Sequence, residues 1–408
     1  MQKGKEVYGH EYAIHFPMAR WPAAPDRKLS PLHDRVKAAG GQMAPYNGWE
    51  RAEWYARPGD DTSWETTQTF RRAGPWEARI KAECEAVRDG CGILDLPGFT
   101  RLRVTGPGAR DHVASLIAGR MPAPGRIGLA YFPDHRGRIL TEMTVIAEGP
   151  ESVTLITAAV AQLHDRAVIE RGLPAGCTVQ DVTEAATCLI VTGPTSRALL
   201  SPLTDADLSL PWLSVQSATV AGRSATLVRV SFAGELGWEI HAAPENAPAI
   251  WDGLTAAGAR PFGMKALNSL RIEKAYRAWK GDLSTDYSLL QGGLGRFIDW
   301  SRDFPGKQAL EAERQQGPTK RFSVLTVDAP DFDPPYMSNV WAGERIVGEV
   351  TSAAFGHRIG SCVALAMIAS DHAEPGTILQ IEIFGQRHAA TVTGEGPLWD
   401  PRNERLRA

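Results

Sequence analysis

Two stretches, LRVTGPGARDHVASLIAG at residues 102–119 and ATCLIVTGPTSRALL at residues 186–200, share one pattern that decides the fold. Each has a short apolar run, then a Gly-Pro turn, and then a segment with helical spacing. β-Branched residues favour strands, and a Gly-Pro pair ends one element before the next, so each stretch predicts a strand–turn–helix unit. The recurrence of the unit predicts an α+β core built from two related halves.

Neighbouring segments extend this predicted core. Residues 76–88 carry apolar positions at helical spacing and run into two glycines, which predicts an amphipathic helix. Residues 139–146 and 152–156 are strand-like and are joined by a Glu-Gly-Pro turn, which predicts a β-hairpin. Further helices are predicted at residues 245–256 and 265–275.

The two ends of the chain differ from the core. Residues 1–76 are rich in aromatic residues, Pro and Gly and show little periodicity, which predicts an N-terminal wrapping segment. After the Gly-Pro pair at residues 317–318, short apolar runs alternate with turns, a pattern typical of a small β-barrel or sandwich. We therefore divide the chain into the segment 1–76, an α+β core at 77–316 and a C-terminal β-barrel domain at 317–408.

Composition argues against several classes of protein. With 408 residues, 43% hydrophobic and 22% charged, the chain is expected to be a globular protein of more than one domain. A net charge of −3 without blocks of like charge argues against nucleic acid and membrane partners. The first twenty residues lack the apolar run of a secretory signal, so a cytoplasmic location is expected. Five cysteines without a CxxC pair argue against disulfides and structural zinc, and no metal is expected.

Residues 231–239 (SFAGELGWE) form the first candidate binding segment. Its glycines allow close backbone approach, and Glu239 sits among apolar strand residues. A carboxylate is costly to bury unless donors meet it, and an aminopyrimidine ring offers two parallel N–H donors that match its two oxygens. A salt bridge to a nearby Arg explains Glu239 equally well, and the residues alone do not choose between the two interpretations.

Two other charged side chains interrupt predicted elements. Arg271 lies among apolar positions of a predicted helix, where it serves either an anionic ligand or an ordinary ion pair. Glu142 lies within a predicted strand and either belongs to a site or faces solvent. No partner at metal-ligand spacing accompanies His112, His164 or His357, which are expected to be structural or solvated.

Taken together, five segments in order resemble the aminomethyltransferase family, the T-protein of glycine cleavage, and especially the folate-binding C-terminal half of dimethylglycine and sarcosine dehydrogenases. The resemblance implies a three-lobed ring around a central folate channel, a small C-terminal β-barrel, and tetrahydrofolate as the cofactor. The segments are residues 48–55 (GWERAEWY), 92–96 (GILDL), 234–239 (GELGWE), 270–279 (LRIEKAYRAW) and 303–310 (DFPGKQAL).

The resemblance also implies roles for individual side chains. In relatives, the Glu matching Glu239 binds the pterin edge, the Arg matching Arg271 belongs to the folate site, and an acidic residue at the position of Glu142 lies near the reacting nitrogens. Relatives usually have Asp at the position of Glu142, Tyr at that of Phe232 and Glu at that of Gln291. Phe232 keeps an aromatic wall for the pterin or substrate, and the three changes together imply an altered substrate or reaction.

The expected function is the transfer of a methyl or methylene group from a small methylated substrate to tetrahydrofolate. As an alternative, the chain captures the iminium or formaldehyde product of a separate flavoprotein amine dehydrogenase. Residues 14–17 (IHFP) and 30–35 (SPLHDR) resemble the stretch that follows the flavin half of fused dehydrogenases, and no dinucleotide-binding pattern precedes them. A second alternative is a non-catalytic folate-binding assembly or regulatory protein, although residues 274–281 (KAYRAWKG) lack the Cys signature of those relatives.

Overall fold

The computed structural model describes residues 1–19 and 23–408, so residues 20–22 of the predicted N-terminal segment lie outside the described residues. The α-helices of the described residues are α1 (Gln2–Gly9), α2 (His33–Ala38), α3 (Pro75–Asp89), α4 (Ala109–Leu116), α5 (Gln162–Glu170), α6 (Ser196–Leu200), α7 (Ala247–Ala256), α8 (Met264–Glu273), α9 (Lys307–Gln316) and α10 (Glu404–Arg407). The β-strands are β1 (Gly41–Tyr46), β2 (Trp49–Tyr55), β3 (Gly92–Asp95), β4 (Thr100–Thr105), β5 (Ile127–Pro133), β6 (Ile139–Gly149), β7 (Ser152–Thr157), β8 (Thr178–Asp181), β9 (Thr187–Thr192), β10 (Val215–Val220), β11 (Arg223–Val228), β12 (Gly237–Ala242), β13 (Arg260–Pro261), β14 (Lys320–Val327), β15 (Asn339–Ala342), β16 (Arg345–Gly356), β17 (Ser361–Ala369), β18 (Ile378–Ile383) and β19 (Gln386–Gly394).

Two sheets form the core, and each contains one strand of the repeated unit. The first sheet has the order β5-β6-β7-β4-β8, and the second has the order β10-β11-β12-β9-β3-β13. As predicted, α4 follows β4 and α6 follows β9. The turns between them need glycine because Gly106 and Gly193 have φ values of +119° and +133°. An added Cβ would collide with the carbonyl oxygen of Gly176 or of Gly90.

The second sheet is covered on both faces. Alternate side chains such as Leu189, Trp238 and Ile240 pack with Trp251 and Leu254 of α7. The other face packs against α3 and α8, through residues that include Leu94 and Ile190. Because strand side chains alternate between faces, Glu239 lies on this second face, away from Trp238 and Ile240.

A closed barrel with strand order β14-β17-β16-β15-β18-β19 forms the C-terminal part. Alternate residues such as Leu325, Ala364 and Leu379 fill its interior. The short apolar runs that predict this barrel, at residues 322–327, 345–351, 362–368, 378–383 and 388–392, correspond to five of these six strands. The four-residue strand β15 was not predicted, because it is too short to show an alternating pattern. The predicted α+β class and the C-terminal barrel are confirmed.

Regular elements also occur in the N-terminal segment. The hairpin of β1 and β2 pairs Gly41 with Tyr55 and Tyr46 with Trp49. Trp54 and Tyr55 are buried. The amino-acid pattern does not indicate this hairpin, because β2 is buried along nearly its whole length and so does not alternate. Among the described residues, no helix combines the length and apolar character that crossing a membrane requires.

Candidate active site

A cavity of about 380 Å³ lies between the facing sides of the two core sheets. Arg101 of β4 and Ile156 of β7 line it from the first sheet. Thr226 of β11 and His241 of β12 line it from the second sheet. Since these strands belong to different halves of the repeat, the cavity is formed where the halves meet.

Glu239 shares a sheet face with the cavity-lining His241, two residues further along β12. Its side chain is 18% exposed, and its Oε2 lies 3.0 Å from His241 Nε2. Among the described residues, no hydrogen bond within the chain reaches its other oxygen, Oε1. The salt bridge to a neighbouring Arg that the sequence allowed is not formed directly, since His241 lies between Glu239 and Arg101.

Glu142 of β6 is paired across the sheet with Tyr131 of β5. The pKa of Glu142 is raised to about 7, chiefly by burial and also by the nearby Asp282 carboxylate, while Arg277 and a hydrogen bond from Tyr131 act in the opposite direction. Burial also lowers the pKa of Arg277 to about 10. The carboxyl group therefore changes charge near neutral pH, as a group that takes or gives a proton must do.

Arg277 connects this carboxyl group to the barrel. Its guanidinium lies 3.6 Å from the centroid of the Phe322 ring at the start of β14. Its Nε donates to the carbonyl oxygen of Gly292 at 3.0 Å. Arg277, in the loop after α8, therefore interacts both with Glu142 of the first sheet and with Phe322 of the barrel.

Phe232 offers an accessible aromatic surface in the loop before β12. It is 36% exposed, although most large apolar side chains of the core are buried. Its ring stacks on Tyr276, with centroids 5.8 Å apart and planes inclined by 17°. The exposed ring can pack against a flat ligand.

Arg271 is 5% exposed and is fully engaged within the chain. Its Nε and Nη2 donate to Asn268 Oδ1, at 2.9 and 2.8 Å, and Nη2 also donates to Ser352 Oγ at 2.9 Å. Nη1 donates to Asp282 Oδ2 at 2.6 Å and to the carbonyl oxygen of Tyr276 at 2.9 Å. A guanidinium has five N–H donors, so none is left for a ligand in this arrangement.

A buried ionic cluster fixes the loop that precedes β12. Arg358, at the turn between β16 and β17, donates to Glu273 of α8 and to Glu235 Oε1 at 2.8 Å. It also donates to the carbonyl oxygen of Ala233 at 3.0 Å. All three charged side chains are 0% exposed. The barrel therefore holds the loop that carries Phe232.

One group of three side chains among the described residues could in principle hold a metal ion, namely Cys188, Glu239 and His241. Burial raises the pKa of the Cys188 thiol well above its usual value, which disfavours the thiolate that a metal needs. In addition, Nη2 of Arg101 lies 3.0 Å from Nδ1 of His241, so a positive charge already faces the imidazole that would have to bind the metal ion. The set is therefore better suited to hydrogen bonding than to binding a cation.

The three histidines considered in the sequence occupy separate places. His112 Nε2 lies 2.7 Å from the carbonyl oxygen of Ile169, and His164 Nδ1 lies 2.8 Å from Asp165 Oδ1. His357 and Glu77 line a second cavity of about 320 Å³. Burial lowers the pKa of His357 to about 4.

The sequence did not point to Arg101, Tyr131 or His241. Each lies on a strand whose pattern alone gives no reason to single it out, and its partner is far away in the chain. The donor and acceptor in the Arg101–His241 hydrogen bond are 140 residues apart. Asp282 had a weak signal, as an acidic residue in a loop that follows Arg271.

Known proteins resemble this chain over nearly its whole length. Residues 32–302 match the GCVT N-terminal domain, and residues 320–400 match the glycine cleavage T-protein C-terminal barrel domain. Mouse mitochondrial dimethylglycine dehydrogenase is 31% identical over 99% of this chain and 48% of its own length. An aminomethyltransferase of Streptomyces coelicolor is 34% identical over 73% of this chain and 83% of its own length.

The crystal structure of the glycine cleavage system aminomethyltransferase T from Bartonella henselae superposes with a TM-score of 0.77. It is 20% identical and covers 90% of this chain and 97% of its own. The chain spans about half the length of dimethylglycine dehydrogenase, 48% for the mouse protein. The three-lobed fold with a C-terminal barrel, predicted from the resemblance, is confirmed. The chain belongs to the glycine cleavage T-protein family, in which the aminomethyltransferases bind tetrahydrofolate.

Proposed function

We propose that this chain binds tetrahydrofolate through Glu239, on the sheet face that also carries the cavity-lining His241, and transfers a methyl or methylene group to it from a small methylated substrate. The observation that carries the proposal is the arrangement of Glu239, whose carboxylate is held at one oxygen and is available at the other. Tetrahydrofolate supplies the ring nitrogens that carry the one-carbon unit. The chain's own residues bind it, orient it and move protons.

The residues present fit a pterin ring. Its aminopyrimidine edge presents two N–H donors, and a carboxylate accepts such a pair in bidentate fashion. Among the described residues, Oε1 of Glu239 has no hydrogen-bond partner, and Oε2 retains acceptor capacity beside its bond to His241. Phe232 provides an exposed aromatic surface for the ring face. Glu239 and Phe232 are therefore our candidates for binding the cofactor.

Glu142 is our candidate catalytic residue. Its pKa of about 7, raised first by burial, lets it exist as the acid or as the carboxylate at neutral pH. The ionised form stabilises positive charge on a transferred group, and the neutral form donates a proton to a leaving group. The side chain of Glu142 is on a residue paired across the sheet with Tyr131, from which it accepts a hydrogen bond, and it interacts electrostatically with Arg277.

Replacing Glu239 with Gln is expected to weaken tetrahydrofolate binding by about 1 to 3 kcal/mol, which corresponds to about 5- to 150-fold in Kd. The amide presents a donor where the ligand needs an acceptor, and the negative charge is lost. Calorimetric titration measures the change. Glu344→Gln on the barrel surface, where the side chain is 92% exposed, is the control and should bind as the wild type does. Unchanged affinity in Glu239→Gln would remove this residue from the site.

Replacing Arg271 with Ala is also expected to weaken tetrahydrofolate binding by about 1 to 3 kcal/mol, by an indirect route. The substitution frees Asp282 and the carbonyl oxygen of Tyr276, so the loop that carries Tyr276 and Arg277 loses its anchor. In contrast to Glu239→Gln, the melting temperature should fall together with the affinity. Weakened binding at an unchanged melting temperature would instead indicate direct contact with the ligand.

The reaction is tested by incubating the protein and tetrahydrofolate with methylated amines, sulfonium compounds and aryl ethers, followed by mass analysis of the folate. A 5-methyl product formed by the chain alone supports a stand-alone methyltransferase. No binding of tetrahydrofolate would overturn the proposal. Binding without transfer under any condition is expected only of a non-catalytic folate-binding protein.

A second candidate function is the capture of a one-carbon unit released by a separate flavoprotein dehydrogenase. It is favoured by the match to dimethylglycine dehydrogenase, which extends over 99% of this chain. In this case, tetrahydrofolate binds but no product forms until an N-methyl amine and a flavoprotein that oxidises it are added. The same mass analysis, performed with and without such an enzyme, separates the two functions.

A further inference from the structure

We infer that Arg101 and His241 are positioning residues for Glu239, acting through a directed chain of hydrogen bonds that runs from one core sheet to the other. The inference rests on the proposed folate site and adds two residues to it. It concerns how the carboxylate is aimed, since neither Arg101 nor His241 is proposed to touch the reacting atoms.

Arg101 is a fixed donor at the start of this chain of bonds. It lies on β4 and is 5% exposed. Its Nη1 donates to the carbonyl oxygen of Ala186 at 2.6 Å and to that of Phe99 at 3.3 Å. Its Nη2 lies 3.0 Å from Nδ1 of His241. Because Nη1 is anchored to these two carbonyl oxygens, the guanidinium has little freedom to turn away from the imidazole of His241.

The chemistry of Arg101 fixes the state of His241. A guanidinium has donors and no acceptor, so Nδ1 of His241 must accept and carries no proton. The proton of the neutral ring is then on Nε2, which lies 3.0 Å from Oε2 of Glu239. The imidazole therefore donates to the carboxylate, and each bond in the series has a single direction. Oε2 of Glu239 is fixed, and Oε1 is left for a ligand.

These hydrogen bonds also influence where Glu239 lies relative to Glu142, the candidate catalytic residue. Arg101 pairs across the sheet with Ile156 of β7, and Ile156 pairs with Thr144 of β6, the strand that carries Glu142. Glu239 belongs to the opposite sheet. The Arg101–His241 bond is thus a polar link between the sheet that holds Glu142 and the strand that holds Glu239. A pterin bound by Glu239 has its distance to Glu142 determined partly by this link.

The test compares His241→Leu, His241→Gln and Arg101→Met by calorimetric titration with tetrahydrofolate. The loss of a partner that orients a metal-binding side chain typically costs about 10- to 100-fold in affinity, and we expect a loss of the same order for His241→Leu and Arg101→Met. Gln carries an acceptor and a donor, so His241→Gln should recover the affinity to within about threefold of the wild type. Arg120→Met, at a side chain that is 77% exposed, is the matched control.

The outcomes separate this inference from the proposed function. Failure of the wild-type protein to bind tetrahydrofolate would contradict the proposed function itself. Wild-type binding that is weakened by Glu239→Gln but is unchanged in His241→Leu and Arg101→Met would overturn the positioning role alone. A loss in His241→Leu that His241→Gln fails to relieve would assign His241 a packing role.

A measurement on the wild-type protein tests the protonation of His241 directly. The ¹⁵N shifts of the histidine ring, with the His241 signals identified by their absence in His241→Gln, should report a neutral ring protonated at Nε2. A ring protonated at Nδ1 would overturn the inference, because it could not accept a hydrogen bond from Arg101.

Discussion

Replacement of Glu142 with Gln is expected to leave tetrahydrofolate binding nearly intact and to slow one-carbon transfer by about 100-fold or more, the usual range for the loss of a positioned acid or base. Gln has nearly the same size and keeps a partner for Tyr131, but it can neither ionise nor exchange a proton at neutral pH. Kd from calorimetry and kcat from product analysis separate the two effects.

The pH dependence of the rate provides the second part of this prediction. Because burial raises the pKa of Glu142 to about 7, the group is mostly neutral below pH 7 and mostly ionised above it. If transfer uses the carboxylate to stabilise a cationic one-carbon unit, the rate rises with pH through about 7. Glu142→Gln should lose this rise, whereas Glu142→Asp should keep an ionisable group. Full turnover in Glu142→Gln would exclude the mechanism.

Replacement of Arg358 with Met is expected to destabilise the fold by about 3 to 5 kcal/mol, the cost of leaving a buried charge without its partner. Glu235 and Glu273 are both 0% exposed and both accept from Arg358. Burial already raises the pKa of Glu273, with Arg358 as the chief opposing influence, so in the variant this carboxyl group is expected to take up a proton. A large fall in the melting temperature measures the effect.

The control for Arg358 is another arginine of the barrel. Arg387 pairs with Glu344, whose side chain is 92% exposed, and Arg387→Met should cost less than about 1 kcal/mol. Folate affinity should also fall in Arg358→Met, because Arg358 donates to the carbonyl oxygen of Ala233, beside Phe232. A melting temperature equal to that of the wild type would show that the three buried charges are not interdependent.

Features encoded by adjacent residues could be predicted from the sequence. The turns at Gly106 and Gly193 could be predicted because each glycine is followed directly by a proline in the sequence. The hairpin of β6 and β7 follows in the same way from its turn. Strand β15 and the hairpin of β1 and β2 could not be predicted, because one is very short and the other is buried without alternation.

The candidate site was predicted in part. The sequence singled out Glu239 and Glu142 because charges interrupt apolar strands, and their roles remain predictions. For Arg271 it allowed a ligand or an ion pair, and the structure has an ion pair with Asp282, at 2.6 Å. The bond from Arg101 to His241 could not be predicted, since only the meeting of the two sheets brings these residues together.

In the proposed mechanism, the contact between Arg277 and Phe322 gives the barrel a part in the chemistry. Arg277 influences the proton affinity of Glu142 and at the same time lies against the first strand of the barrel. Glu239 is oriented instead by Arg101 and His241, within the two core sheets. Under the proposed function, selection for a different one-carbon donor can therefore act on the barrel and its adjoining loop, while the residues proposed to bind the cofactor are inherited unchanged. Such a division would let one ancestral scaffold diversify in its substrates and remain constant in its coenzyme.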